Sequence, residues 1–188
     1  MSAIFVTGPV RSGKSDLAVR LARESGARVT FVATAARDAS DPEWCARLDR
    51  HARERPADWA TLETCEMEPA SLIAALGGAA PSDFWIFDAL GTWLATRVFA
   101  RAAAIEHDYA AVEAALEDEA SALADALGAF AGTVVVVGEQ VGWDVVPERA
   151  TARLFRDVLG RMERRIAARA DRAVLLVAGL PLELKPWA

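Results

Sequence analysis

The feature that most constrains this chain lies close to its N-terminus, where eight residues fit the pattern G-x-x-x-x-G-K-[ST]. The run is Gly8-Pro9-Val10-Arg11-Ser12-Gly13-Lys14-Ser15, and it follows a short apolar segment and precedes a helical one. Glycines let backbone N–H groups turn inward around phosphate oxygens, and the start of the next helix adds partial positive charge. The lysine then reaches the β- and γ-phosphates, and the following hydroxyl ligates Mg²⁺. The run therefore predicts a phosphate-binding loop (P-loop) whose eight residues bind a nucleotide and whose Ser15 binds the metal.

Beyond this loop, short apolar segments alternate with amphipathic ones, which indicates an α/β fold. Segments apolar on both faces are typical of buried parallel strands, and they are Ala3–Thr7, Arg28–Ala33, Phe84–Asp88, Thr133–Gly138, Ala173–Ala178 and, more weakly, Thr61–Cys65. The predicted helices are Lys14–Ser25, Ala89–Phe99, Asp108–Phe130 and Glu148–Arg169, the last with Pro147 at its first turn. The stretch Leu76–Ser82 is predicted to be a surface loop.

The length of the chain fits one domain, because single cores grow to roughly 250 residues before they split. We therefore expect residues 1–188 to form one P-loop NTPase-like domain, with a mostly parallel sheet covered by helices on both faces. In such sheets the ligand lies beyond the carboxyl ends of the strands.

A carboxylate at the end of a second strand is the other usual element of a P-loop site. Asp88 ends the apolar run Phe84-Trp85-Ile86-Phe87, where a residue that holds or orients Mg²⁺ is expected. An aspartate in that place is explained equally well as the N-cap of the helix that follows.

Charge and composition exclude several classes of function. The net charge of −6 argues against a protein that coats nucleic acid or an anionic membrane, so any anion must be held by a local site. No apolar run reaches the ~20 residues of a membrane span, and no basic signal-peptide region precedes the first strand. Two cysteines twenty positions apart, Cys45 and Cys65, form no metal-binding or disulfide pattern. We expect a cytoplasmic protein.

The chain has 21 Lys and Arg residues, of which only Lys14 and Lys185 are lysines, and its two histidines are His51 and His107. His107 is expected at the surface, at the start of the long acidic helix. His51 lies in an arginine-rich segment between Arg47 and Pro56. By itself, a single histidine in a polar segment is usually a solvated residue.

Several segments together resemble the bifunctional adenosylcobinamide kinase / adenosylcobinamide-phosphate guanylyltransferase family of cobalamin synthesis. They are the P-loop, Val32-Ala33-Thr34-Ala35, the pattern Arg47-x-x-x-His51-x-x-x-Arg55-Pro56-x-x-Trp59, Val141-Gly142, Val146-Pro147-Glu148, the run from Ala152 to Arg161, Ala170-Asp171, and the ending Val177-Ala178-Gly179-Leu180-Pro181-x-x-x-Lys185. The resemblance covers nearly the whole chain and is weakest over Ile105–Ala131. The histidine segment and the Pro147–Arg161 run are the specific parts.

The resemblance implies two reactions on one protein. A nucleoside triphosphate, ATP or GTP, phosphorylates the aminopropanol hydroxyl of adenosylcobinamide, and GTP then transfers GMP to that phosphate through a guanylylated histidine. His51 stands at the position of the nucleophile, and a neutral imidazole is an adequate nucleophile at pH 7. Catalytic residues would thus be His51, Lys14 and Asp88, with Mg²⁺ on Ser15 and Asp88. Thr34, Arg53 and Arg55 would join the P-loop in binding the nucleotide, and the family suggests a homotrimer.

Five positions depart from the family pattern. Ala52 replaces the arginine that usually follows the histidine, and a shift of one residue to Arg53 turns a helical side chain by about 100°. Gln140 replaces the glutamate of the usual Asn-Glu-Val-Gly, so Glu139 would have to supply that charge; Thr96 and Arg149 each replace an asparagine. Two alternatives therefore stay open: an enzyme that performs only the kinase step, and a protein that senses GTP without chemistry.

Overall fold

The computed structural model describes residues 2–53 and 55–185. Its strands are β1 (Ser2–Thr7), β2 (Arg28–Ala33), β3 (Ala60–Glu63), β4 (Asp83–Asp88), β5 (Thr133–Val137), β6 (Arg172–Val177) and β7 (Leu180–Lys185). Its helices are α1 (Lys14–Ser25), α2 (Pro42–Arg53), α3 (Pro69–Gly77), α4 (Leu90–Ala100), α5 (Ala102–His107), α6 (Tyr109–Gly128) and α7 (Ala150–Arg169).

All seven strands form one sheet in the order β3-β2-β4-β5-β1-β6-β7. Every neighbouring pair is parallel except β6 and β7, which form an antiparallel hairpin. The predicted α/β class with a mostly parallel sheet is confirmed. Since β5 lies between β1 and β4, the segment that follows β5 lies between the P-loop and Asp88 at the carboxyl edge.

Helices cover both faces of the sheet, which is why the central strands are apolar on both sides. Alternate residues of β1 show the division: Phe5 packs in the core cluster with α3 to α7, whereas Ile4 and Val6 pack in the cluster with α1. Burying a side chain of this size stabilises the fold by roughly 1.5–3 kcal/mol. Among the described residues, no helix combines the length and the apolar character needed to cross a membrane.

The structure corrects several local predictions. Helix α7 begins at Ala150, so Pro147 lies before the helix and not in its first turn. His107 ends α5, and α6 starts after Asp108, whose side chain accepts a hydrogen bond from the Ala111 N–H. The predicted loop Leu76–Ser82 begins inside α3.

Four elements were not predicted: the helices α2, α3 and α5 and the strand β7. Strand β7 follows a two-residue turn at Ala178 and Gly179, with φ of 52° and 80°. Such left-handed turns suit the twist of a hairpin. This turn contacts the P-loop, because the Gly179 N–H donates to the Ser12 carbonyl oxygen at 3.1 Å.

Candidate active site

The P-loop is preformed by its backbone. Gly8, Arg11 and Gly13 have φ of 154°, 56° and 94°. A Cβ atom on Gly8 would lie 2.3 Å from the carbonyl oxygen of Leu176, so no other residue fits there. The Gly8 carbonyl oxygen accepts from the Gln140 N–H at 3.2 Å, which ties the loop to the segment after β5.

Lys14 already lies inside this loop, with only 8% of its surface exposed. Its Nζ donates to the Pro9 carbonyl oxygen at 2.8 Å. Burial lowers the pKa of Lys14, and the carboxylates of Glu139, Asp88 and Glu163 oppose that shift. The ammonium group is therefore surrounded by acidic partners at the place where phosphates would bind. Ser12 adds a buried hydroxyl without a hydrogen-bond partner in residues 2–53 and 55–185.

Asp88 lies at the carboxyl end of β4 and faces Ser15. Burial raises the pKa of Asp88, while a hydrogen bond with Ser15 and the charges of His51, Arg55 and Lys14 oppose the rise. The N-cap of α4 is Ala89, and no side chain caps the start of that helix. The alternative interpretation of Asp88, as the N-cap of this helix, is therefore wrong. Its carboxylate is directed to the P-loop and the cationic groups around it.

Thr34 is buried directly after β2, where its side chain holds the backbone next to Asp88. Its Oγ1 accepts from the Ala89 N–H and donates to the Ala89 carbonyl oxygen, both at 2.9 Å, and it also contacts the Thr92 hydroxyl. Thr34 therefore fixes the backbone just after Asp88, and it lines the cleft as well.

A cleft of about 960 Å³ joins the P-loop to α2. Of the residues predicted for the site, those that line it are Pro9, Val10, Arg11, Ser12, Gly13, Lys14, Ser15, Thr34, His51, Arg55 and Asp88. Gly8 lies behind the loop as a buried backbone support, and Arg53 is exposed at the end of α2 and is not part of the lining. The structure thus brings His51 and Lys14 to one cleft but leaves Arg53 outside it.

A second cavity of about 600 Å³ adjoins the cleft and shares six residues with it. The shared residues are Ser15, Asp16, Phe31, His51, Arg55 and Asp88. His51 thus lies where the two spaces meet, close to Asp88, whose pKa its charge lowers.

Arg55 follows α2 and stacks on the ring of Phe31, with its guanidinium carbon 3.6 Å from the ring centre. Burial lowers the pKa of Arg55, and the charges of Asp88 and Glu63 oppose that shift. Its Nε is buried and has no hydrogen-bond acceptor in the described part of the chain. A half-buried guanidinium with an unused, buried Nε–H donor is suited to an anionic ligand in the cleft.

Two carboxylates near Lys14 complete the site: Glu139, which the sequence indicated only as a replacement charge for Gln140, and Glu163, which was not predicted. Glu139 follows β5 and accepts from the Gly91 N–H at 2.8 Å. Glu163 of α7 accepts from the Glu139 N–H at 2.6 Å and from the Gln140 side-chain amide at 3.1 Å. Glu163 lies four residues after the buried Leu159, so an acidic residue on an apolar helix face was the signal that could have revealed it.

The donors present fit a magnesium ion whose remaining ligands come from phosphates and water. Ser15 offers a hydroxyl oxygen and Asp88 a carboxylate, which are the hard oxygen ligands that Mg²⁺ uses beside a nucleotide. In residues 2–53 and 55–185 there is no cluster of three or more His, Cys, Asp or Glu side chains able to hold a metal without such help.

The chain was compared with known families and proteins. The family model for cobinamide kinase / cobinamide phosphate guanyltransferase (CobU) matches residues 4–184. The bifunctional adenosylcobalamin biosynthesis protein CobU of Salmonella typhimurium is 37% identical over 97% of this chain and 99% of its own length. Its counterpart CobP of Pseudomonas aeruginosa is 36% identical over 96% of both chains. CobU of Escherichia coli is 32% identical over 97% of this chain and 99% of its own.

Proposed function

The chain belongs to the cobinamide kinase / cobinamide phosphate guanyltransferase family, and from this premise we propose that it performs both reactions in the single cleft that joins the P-loop to His51. It transfers a phosphate from a nucleoside triphosphate to adenosylcobinamide, and it then transfers GMP from GTP to adenosylcobinamide phosphate. One observation carries the proposal: Lys14, Ser15, Asp88 and His51 line one continuous space.

In the kinase step, the P-loop amides and Lys14 hold the phosphates of ATP or GTP. The triphosphate occupies the loop whose buried Ser12 hydroxyl has no partner in the described residues. Ser15 and Asp88 would hold Mg²⁺, which neutralises charge on the β- and γ-phosphates when it is bound. The ammonium of Lys14 neutralises charge on the phosphate that moves, and most of the catalysis is positioning and electrostatic stabilisation of this kind.

In the guanylyl step, an imidazole nitrogen of His51 attacks the α-phosphorus of GTP, and pyrophosphate leaves. The phosphate of adenosylcobinamide phosphate then attacks the same phosphorus, which breaks the P–N bond, frees His51 and gives adenosylcobinamide-GDP. Arg55 lies on the cleft wall beside His51, where it would neutralise charge on the α-phosphate. Arg53 would have to turn inward to contribute, since its side chain is exposed.

The covalent intermediate tests this assignment. Incubation with GTP labelled at the α-phosphate should leave a protein adduct that is labile in acid and stable in base, and His51→Ala should form none. The matched control is His107→Ala, which changes the other histidine and should label as well as the wild type. A wild type that makes phosphorylated cobinamide without any adduct would be a kinase only, and one that binds GTP without turnover of either substrate would be a sensor.

We further propose a cytoplasmic homo-oligomer, a trimer as in the family resemblance. Strand β7 supports an interface between copies because it ends the sheet and exposes Leu180, Leu182 and Leu184 by 72%, 58% and 56%. Apolar edge strands of this kind tend to pair with another chain. Sedimentation should give three times the mass of one chain, and Leu182→Glu should reduce it.

A further inference from the structure

Glu139 lines the cleft close to the P-loop lysine and to Asp88, and the kinase mechanism given above assigns it no role. It follows β5 directly, and β5 lies between the P-loop strand β1 and the Asp88 strand β4. The carboxylate therefore lies between Lys14 on one side and Asp88 on the other, and it lines the same cleft as both.

The surroundings of Glu139 hold it in one place and leave one oxygen unused. Its Oε2 accepts from the Gly91 N–H at 2.8 Å. A Cβ on Gly91 would lie only 2.7 Å from that oxygen, so the helix backbone of α4 approaches the carboxylate as closely as glycine allows. Within residues 2–53 and 55–185, no hydrogen bond or ion pair engages Oε1.

A second carboxylate holds the backbone of Glu139. Glu163 accepts from the Glu139 N–H at 2.6 Å, and Gly138 has no room for a side chain because a Cβ there would lie 2.3 Å from Glu163 Oε1. The Gln140 side chain donates to both Glu163 and the Thr7 hydroxyl. Glu163 and Gln140 thus act as positioning residues for Glu139: Glu163 holds its backbone, and Gln140, which also lines the cleft, holds Glu163.

The charge balance around Glu139 suits a group that takes up a proton near neutral pH. The pKa of Glu139 is raised to about 7: burial is the main cause and the charge of Asp88 adds to it, whereas the Gly91 N–H and the charge of Lys14 oppose the rise. Glu163 is the remaining titratable neighbour, and burial with the charge of Glu139 raises its own pKa to about 8.

The two reactions differ in their need for such a group. In the kinase step an alcohol attacks phosphorus, so its O–H proton must leave. In the guanylyl step the attacking atoms are an imidazole nitrogen with a free electron pair and then a phosphate oxygen that is already ionised. Only the first reaction therefore needs a general base.

Resting on the proposed function, we propose that Glu139 is the catalytic base of the kinase step alone. As the alcohol oxygen bonds to the γ-phosphorus, its proton passes to Glu139 Oε1. The bond between the γ-phosphorus and the β,γ-bridging oxygen breaks, and the nucleoside diphosphate leaves with that electron pair. Asp88 stays on the Ser15 side of the phosphates and takes no proton.

The test is a variant in which the two activities separate. Glu139→Gln keeps the shape of the side chain and an oxygen for the Gly91 N–H, but it cannot accept the proton. We expect phosphorylation of adenosylcobinamide in a single turnover to fall by about 10²-fold or more. Labelling of His51 by GTP, and GMP transfer to adenosylcobinamide phosphate supplied directly, should stay within about threefold of the wild type, as general-base catalysis is absent from those steps.

Two further measurements distinguish a base from a structural group. In the wild type the single-turnover kinase rate should rise with pH through the neutral range, since only the ionised carboxylate accepts a proton, and this rise should be absent in Glu139→Gln. Glu139→Asp retains a carboxylate and should recover part of the lost rate. The control Glu106→Gln changes an exposed glutamate of α5 and should leave both activities intact.

Each other outcome has a definite meaning. If Glu139→Gln lowers His51 labelling as much as phosphorylation, Glu139 only shapes the nucleotide site and the proposal is overturned. An unchanged kinase rate overturns it as well. If the wild type itself fails to phosphorylate adenosylcobinamide, the proposed function has failed, and this result is seen before any variant is made.

Discussion

The two walls of the cleft are built in opposite ways. The P-loop wall, residues 8–15 with Asp88 and Glu139, is tied to the sheet by backbone hydrogen bonds, and its Lys14 is buried. The α2 wall, residues 44–52 with Arg55, presents His51 from a helix in which no side chain is buried, although all of its residues are described. Polar contacts on its surface hold that helix, such as the Trp44 indole N–H donating to the Ala36 carbonyl oxygen at 2.8 Å.

The difference matches what each wall has to do. Phosphates need donors fixed in one arrangement, because preorganised dipoles cost no reorganisation during the reaction. A nucleophile that takes up GMP and then delivers it to a second substrate meets two different partners. A helix with few buried apolar contacts shifts at little cost in free energy, and the α2 wall is of that kind.

Removing the cation of the P-loop wall should have the largest effect. Lys14→Ala deletes the ammonium group held at the Pro9 carbonyl oxygen, and we expect both activities to fall by about 10³-fold, since transition-state charge on the phosphates loses its partner. Turnover of both substrates checks this. The matched control is Lys185→Ala, which removes the other lysine, whose Nζ donates to the Ala168 carbonyl oxygen far along the chain. Near-normal turnover in Lys14→Ala would place the reaction outside the P-loop.

Hydrogen exchange compares the two walls directly. Amides of α2 should exchange at least about 100-fold faster than the core-facing amides of α1, because α2 buries no side chain whereas Ala18 and Ala22 of α1 are fully buried. GTP should slow exchange in α2 more than in α1. Equal protection of the two helices in the free protein would show that the two walls do not differ in local stability.

The two arginines that the sequence analysis assigned to the nucleotide, Arg55 on the α2 wall and Arg53 outside the cleft, should differ in their effect on catalysis. Arg55→Ala removes a guanidinium that stacks on Phe31 in the cleft, and His51 labelling by GTP should fall by about 10- to 100-fold. Arg53→Ala should change it less than about threefold, since a lone exposed charge contributes little. A larger loss in Arg53→Ala than in Arg55→Ala would mean that α2 turns when the nucleotide binds.

Arg53 and Arg55 also illustrate which features of the site can be predicted from the sequence. The P-loop and the central strands were predicted because their signals are local: a glycine pattern fixes the backbone, and unbroken apolar runs fit strands buried on both faces. Helix α2 has few apolar residues and buries none of its side chains, and β7 is an exposed edge strand, so neither gave a core-facing pattern. Whether Arg53 or Arg55 faces the cleft depends on where α2 ends. The position of Glu163 depends on the packing of α7 against the sheet and on its contact with the segment after β5, which no local pattern contains.

The last expected effect is on stability: burying two carboxylates in the P-loop wall lowers the free energy of unfolding in a way that depends on pH. Burial raises the pKa of Glu139 to about 7 and that of Glu163 to about 8, both above the ordinary value of 4.5. Between the ordinary and the raised values the folded protein binds protons that the unfolded chain releases. The free energy of unfolding must then fall as pH rises, by up to about 1.4 kcal/mol per pH unit for each proton held.

Urea denaturation at several pH values measures this fall. The wild type should lose about 3 kcal/mol of unfolding free energy between pH 6 and pH 8, and Glu163→Gln should lose about half of that or less, because an amide carries no charge to desolvate. Arg47→Ala, on the α2 wall, should keep the wild-type slope, since that wall holds no buried carboxylate pair. The opposite result is that Glu163→Gln keeps the full dependence of unfolding free energy on pH and Arg47→Ala loses it. That result would place the pH-dependent cost on the α2 wall, which carries His51, and would reverse the contrast between the walls.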